Sequence, residues 1–319
     1  MLRRRFLFIS LLLSLTIATA AQAADKFVAV IITGSLPRYQ RSQEAFLRVL
    51  RAGGLDESKV EIYVQTPNPD PISLANSVRK AVGINADLLF TYGAPATLVA
   101  RSEGRGLPLL FADVYDPVGL GLVKTLAVPG AGISGVSDKT PAETLLRTFA
   151  DVFKGKSVGA LYAPGDAGSV LQIEDMERAA AAQGLKVVRF GVTDRHGLDQ
   201  ACGALGAQVD SLFVADSAIL EMHSEQILAS AARQGLPVIS QIPGLCDLGA
   251  LMTIEADPAE QGELAGAYAL RMLSAEGRDL VLPVRTPRKV SLVINMKAAK
   301  SMHLTVPFQA LTQATRVVK

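Results

Sequence analysis

From residue 27 onward, short runs that are apolar throughout alternate with longer stretches in which apolar positions recur every three or four residues. Phe27–Ile32, Val60–Val64, Leu88–Tyr92 and Leu109–Val114 have the composition of strands buried on both faces. Between them, Gln40–Arg51, Ser73–Val82 and Pro95–Ser102 carry helical spacing, so this half reads as repeated β-α units and predicts a doubly wound parallel sheet. The pattern breaks at Val128-Pro129-Gly130-Ala131-Gly132-Ile133-Ser134-Gly135, whose glycines and proline mark the approach to a hinge. A second series follows, with strands at Val158–Tyr162, Lys186–Phe190, Ser211–Ala215 and Pro237–Ser240 and helices at Val170–Gln183, Leu198–Leu205 and Glu221–Gln234. Gln183-Gly184 and Gln234-Gly235 are helix stops. Two such halves predict an α/β protein of two doubly wound parallel-sheet lobes around a central cleft.

The first residues read differently. Arg3, Arg4 and Arg5 precede an apolar run from Phe6 to Ala18, and Ala21-Gln22-Ala23 has the small-x-small form of a cleavage site. The run is shorter than the roughly 20 residues of a membrane-spanning helix, so it predicts a signal peptide over residues 1–23 and a periplasmic protein starting at Ala24. Arg3-Arg4-Arg5-Phe6-Leu7 also fits a twin-arginine signal, and the leucine-rich core fits general secretion. Three arginines leave with the peptide, turning 32 basic against 30 acidic residues into 29 against 30. A near-neutral chain gives no electrostatic reason to expect nucleic acid as a partner. Neither Cys202 nor Cys246 stands at the cleavage point, where a lipid anchor would need one; in an oxidising compartment they are either bridged or two buried thiols. The 296 residues that remain of 319 exceed the usual size of one core.

In an open α/β sheet, ligands lie beyond the carboxyl ends of the strands, where helix starts offer free N–H groups. The loops at those ends supply the candidate ligand contacts: Ser35, Tyr39, Tyr92, Gly93, Ala94, Pro95, Tyr115 and Asp116 in the first half, and Pro164, Asp166, Ala167, Asp216, Ser217 and Gln241 in the second. Tyr39, Tyr92, Tyr115 and Tyr162 fall in or beside these loops in a chain with six tyrosines and no tryptophan. They either line a binding cleft or close the tops of the cores. Gly93-Ala94-Pro95 starts a helix whose open N–H groups suit a carboxylate. Asp216 suits a ligand ammonium, or caps the helix after it.

Enzyme signatures are mostly negative. His196, His223 and His303 have no metal-ligand spacing. Gly155-Lys156-Ser157 matches the end of a phosphate loop, but Ala150 stands where that motif needs glycine. Gly119-Leu120-Gly121 is followed by Lys124 where a dinucleotide fingerprint needs glycine. No cofactor, metal site or catalytic residue is expected.

Several segments resemble the periplasmic substrate-binding proteins of ABC transporters with the type 1 periplasmic binding fold, which include binders of tryptophan- and phenylalanine-type amino acids. They are Tyr92–Thr97, Pro108–Val123, Gly130–Ser137, Val209–Ser217, Gly249-Ala250-Leu251 and Ile294–Ala299 with Val306-Pro307. The resemblance implies a Venus-flytrap receptor whose chain crosses the hinge several times: one lobe from 24–137, the other from 138–252, a return to the first over 253–277, and a C-terminal segment, 278–319, on the second. It implies a monomer that delivers a small polar ligand, an amino acid or related carboxylate, to a membrane permease and ATPase. The alternatives are a sensing subunit for a membrane kinase or chemoreceptor, and an exported α/β enzyme. Two positions depart from the family's pattern: Gly93-Ala94-Pro95 stands for Gly-Thr-Pro and Asp216-Ser217 for Asp-Asn, each removing a polar group from the expected ligand shell.

Overall fold

A computed structural model describes residues 26–274 and 280–319, so the expected signal peptide lies outside the described residues. The first sheet is built from β1 (Lys26–Ile31), β2 (Val60–Gln65), β3 (Leu88–Tyr92), β4 (Leu109–Val114) and β5 (Ile133–Ser137), all parallel, in the order β2-β1-β3-β4-β5. Helices α1 (Pro37–Ala52), α2 (Pro71–Gly83) and α3 (Ala94–Glu103) connect its first four strands. Every residue of β3 is buried, which is why its sequence is apolar without alternation.

The second lobe opens with α4 (Ala142–Val152) and repeats the winding through β6 (Ser157–Tyr162), α5 (Ala167–Ala182), β7 (Lys186–Gly191), α6 (Arg195–Ala204), β8 (Ser211–Val214), α7 (Ala218–Met222), α8 (Ser224–Arg233), β9 (Val238–Ser240), α9 (Leu245–Leu248) and β10 (Met252–Ala256). Then come α10 (Pro258–Met272), β11 (Val290–Asn295), α11 (Met296–Ser301), α12 (Phe308–Gln313) and β12 (Arg316–Val318). The sheet order β12-β11-β10-β9-β8-β6-β7 contains the first lobe's winding, β7-β6-β8-β9-β10, extended by β11, antiparallel to β10, and by β12. In both lobes the first strand sits between the second and third, creating the switch in winding direction where such sheets bind ligands.

The structure differs from the sequence reading in three places. The Gly/Pro-rich hinge approach ends in a buried edge strand, β5, because Gly135 lets that strand close on β4: a Cβ there would lie 2.2 Å from the Phe111 carbonyl oxygen. The single helix expected over Glu221–Gln234 is two helices, α7 and α8, broken at His223. Finally, the crossings fall later than expected. Thr253–Ala256 still pair with β11, and Leu282 and Val284 still pack in the first lobe, where Arg285 bridges Val136.

Helix α10 returns to the first lobe and lies on α1. Gly262 and Gly266 face it so closely that a Cβ on Gly262 would stand 1.9 Å from the Ser42 carbonyl oxygen. The start of α10 ties the crossings together. Glu260 accepts from the N–H groups of Arg288 and Lys289 at 3.0 and 2.9 Å, and the Gln261 amide donates to Ser137 at 2.8 Å.

Candidate functional site

The carboxyl ends of the two sheets face one another across a closed cleft. A Cβ on Gly168, at the start of α5, would lie 3.1 Å from the Ala94 Cβ at the start of α3. Tyr115 donates across the cleft to Asp175 at 2.8 Å, and Lys139 pairs with both Asp116 and Asp175 at 2.6 and 2.9 Å.

An acidic cavity of about 20 Å³, room for roughly one water, lies in the seam. Tyr39, Gly93, Ala94, Tyr115, Asp166 and Asp216 line it, together with Arg38, Asp113, Asp138, Gly168, Ser169 and Gln172. Beside it is a cavity of about 420 Å³, mostly apolar, bounded by Tyr39, Tyr92, Pro95, Asp166 and Ser217 with Pro69, Pro71, Val192 and Ile219 among others. Tyr39 and Asp166 stand between the two.

Arg38 occupies the middle. It lies in the first turn of α1, 2 % exposed, and forms ion pairs with carboxylates of both lobes: Asp113 at 3.2 Å, Asp216, and Glu221, whose Oε2 is 2.9 Å from its Nε. Its Nη2 also donates to the Tyr39 hydroxyl at 3.2 Å. Burial opposes the charged guanidinium, but the three carboxylates outweigh it and hold the Arg38 pKa well above its usual value.

Asp113 is aimed at Arg38 by its backbone. It is the penultimate residue of β4, with φ +58° at a shift in the β4–β5 register, and its N–H leaves the ladder to reach Gln261 at 3.3 Å. A left-handed, non-glycine residue at a bulge is a local strain of the kind found where a side chain is re-aimed into a site.

Carboxylate oxygens of Asp113, Asp138 and Asp216 come within 4.8 Å of one another, and Asp138 Oδ1 is buried without a hydrogen-bond partner. These are the described carboxylates grouped closely enough to hold a cation, and Arg38 Nη1 already contacts two of them. Burial pushes the Asp113 carboxyl up to about 6, with Arg38 opposing and Asp216 adding. Burial, then the charge of Asp216, lifts Asp166 to about 7. Glu221 is likewise driven by burial to about 7, against the pull of Arg38. Asp138 is raised well above the usual carboxylate range by burial and by Asp113 and Asp216. One guanidinium thus faces five carboxyl groups.

Local sequence explains the placements. Gly93 precedes α3 with φ +78°, and a Cβ there would meet the Tyr39 hydroxyl at 2.7 Å. Tyr92 is fully buried, its ring centroid 5.3 Å from that of Tyr39, and donates to Gln43 at 3.0 Å. Asp166 caps α5 by accepting from Gly168 and Ser169. Ser217 caps α7, so the capping role open to Asp216 belongs to its neighbour, and Asp216 is turned toward Arg38.

Five of the sequence candidates do not line either cavity. Ser35 is exposed in the β1–α1 loop. Asp116 is engaged by Lys139 and the Gly119 N–H, and Pro164 lies outside, against Gly191. Ala167 begins α5 one residue before the part that reaches the seam. The Gln241 amide is turned to Thr140. Tyr162 lies beside Arg189, away from both cavities. Conversely, Arg38, Asp113, Asp138 and Glu221 escaped the sequence reading. One signal was available: β4, β5, β6 and β8 are each ended or followed within a few residues by an aspartate, Asp113, Asp138, Asp166 and Asp216.

Two doubly wound lobes joined by crossings beside a ligand-sized cleft define the type 1 periplasmic binding architecture. The chain belongs to the ABC transporter substrate binding protein family, whose profile matches residues 27–318. It is 26 % identical over 272 residues to the tyrosine-binding protein of Clostridioides difficile, covering 84 % of this chain and 78 % of that one. Among solved structures, the ABC domain of a Streptococcus pneumonia protein in complex with L-Trp superposes with a TM-score of 0.87 at 24 % identity, over 92 % of this chain and 100 % of that one. A conserved domain protein of Vibrio cholerae gives 0.86 at 26 %, over 92 % and 99 %. The family consists of extracytoplasmic substrate-binding receptors that bind small molecules and work with the permease and ATPase of ABC transporters. No helix of the described residues is long and apolar enough to cross a membrane. Both cysteines are buried free thiols.

Proposed function

We propose that this protein is a monomeric periplasmic receptor, matured at Ala24, that closes its lobes over an amine-bearing ligand of the amino-acid class and presents the closed form to an ABC importer. The observation that carries this reading is the excess of carboxylates from both lobes around Arg38. An ammonium entering the seam supplies the missing positive charge, and closure shields that interaction from water. The adjacent apolar cavity, with Tyr39, Tyr92 and three prolines in its wall, suits an aromatic side chain. Relatives described as tyrosine-binding and as holding L-Trp agree with that size and character. We assign no bond-making step to these residues; binding energy shifts a hinge equilibrium. The crossings at 138–140, 256–257 and 285–289 are the proposed hinge.

The test is a dye-based thermal-shift panel of amino acids on residues 24–319, followed by calorimetry. Saturation at a hundredfold excess over Kd stabilises by about 2.7 kcal/mol, so one chemical class should raise the midpoint by several degrees. A panel that moves nothing, on protein that melts cooperatively, rejects the amino-acid assignment.

A further inference from the structure

We infer that the cleft recognises its ligand by a protonated amine and gives a ligand carboxylate no comparable partner. A net-positive aromatic amine or amino-acid amide then binds more tightly than the zwitterionic amino acid with the same side chain. The inference rests on the proposed placement of the amine in the seam.

Charge balance is the first support. Among the described residues lining the two cavities, Arg38 is the one cationic side chain, and its guanidinium is already shared among Asp113, Asp216 and Glu221. A ligand carboxylate finds no free cation, whereas a ligand ammonium finds Asp138, one of whose oxygens is buried without a hydrogen-bond partner. Adding a carboxylate to this seam also adds negative charge where negative charge is in excess, which costs more at low dielectric than in water.

The helix starts are the second support. Two face the seam, and their backbone N–H groups, like the hydroxyls of Thr33, Thr193 and Ser217 in the larger cavity, are uncharged anion partners. At α5, Gly168 and Ser169 already donate to Asp166 at 2.9 and 3.3 Å. At α3, Pro95 has no N–H and Thr97 N–H is bonded to the Gly93 carbonyl, so the N–H groups of Ala94 and Ala96 are left, at a helix start where the Tyr39 hydroxyl lies over Gly93. Ala94 contributes no side-chain donor. Partial charges at one crowded helix start do not match the pull of an uncompensated carboxylate cluster on an ammonium.

The chain contains no tryptophan, so indole fluorescence excited beyond the tyrosine band belongs to an added ligand alone. The mature protein is titrated against tryptamine, L-tryptophanamide, L-tryptophan and indole-3-propionate. Tryptamine and the amide are expected to bind about tenfold or more tightly than L-tryptophan, with no response to the propionate. Asp138→Asn should weaken tryptamine by about tenfold and narrow its lead over L-tryptophan. L-tryptophan binding as well as or better than its amide overturns the inference and leaves the amino-acid receptor intact. An unchanged lead in the variant, with wild-type melting behaviour, places the amine elsewhere and also overturns it. Silence from all four ligands removes the amine from the seam, and the proposed function with it.

Discussion

Ligand-free protein should lose thermal stability as the pH is raised from about 5 to about 7, against the usual trend for a protein with salt-bridged acids. The perturbation acts on the seam. Asp113, Asp166 and Glu221 titrate near 6, 7 and 7 when folded, all above their ordinary values of 3.8, 3.8 and 4.5. Between those limits the folded state holds protons that the unfolded chain has released. Unfolding then becomes easier with each step up in pH until the folded values are passed. A single extra bound proton is worth about 1.4 kcal/mol per pH unit. Two units give roughly 3 kcal/mol, which at about 2–4 °C per kcal/mol for chains of such size lowers Tm by about 6–12 °C. The assay is a dye-reported melt at constant ionic strength in buffers without amines. A flat or rising Tm over this interval would mean that the carboxyl groups are hydrated in the free protein, and the closed ion cluster would be refuted.

Arg38→Met removes the sole cation from a buried cluster and should destabilise by about 3–5 kcal/mol at neutral pH, less at acid pH, by denaturant melts. Gly262→Ala drives a methyl into the Ser42 carbonyl and should cost on the order of 1–3 kcal/mol without changing ligand preference. Burial pushes the Cys246 thiol up to about 12; it should react with a thiol reagent only under denaturing conditions, and a reducing agent should leave Tm unmoved.

The strands of both parallel sheets were legible because burial on two faces leaves no polar position: Leu88–Tyr92 is the same segment in pattern and in structure. Helix α10 was harder to read from pattern. Its contact face is Gly262, Ala265, Gly266 and Ala269, residues chosen for closeness and carrying little hydrophobic signal. Within the site, Tyr39, Gly93 and Asp216 could be found from strand-end position alone. Asp113 carried the same strand-end signal, but Arg38 and Glu221 could not be found that way, since a charged residue near a helix start ordinarily marks a solvated face. What makes them a site is the meeting of residues 38 and 216, which depends on how one lobe sits over the other.

The interleaving of the two lobes also bears on how the chain is made. Before α10 emerges from the ribosome, α1 lacks the surface that Gly262 and Gly266 provide, and the first sheet lacks Leu282 and Val284 on its flank. The second sheet waits longer still, for β11 and β12 at the very end. Neither lobe can therefore complete its core during synthesis, and a nascent chain of this kind exposes apolar strands until nearly its last residue. The topology thus ties completion of both cores to the residues from Pro258 onward.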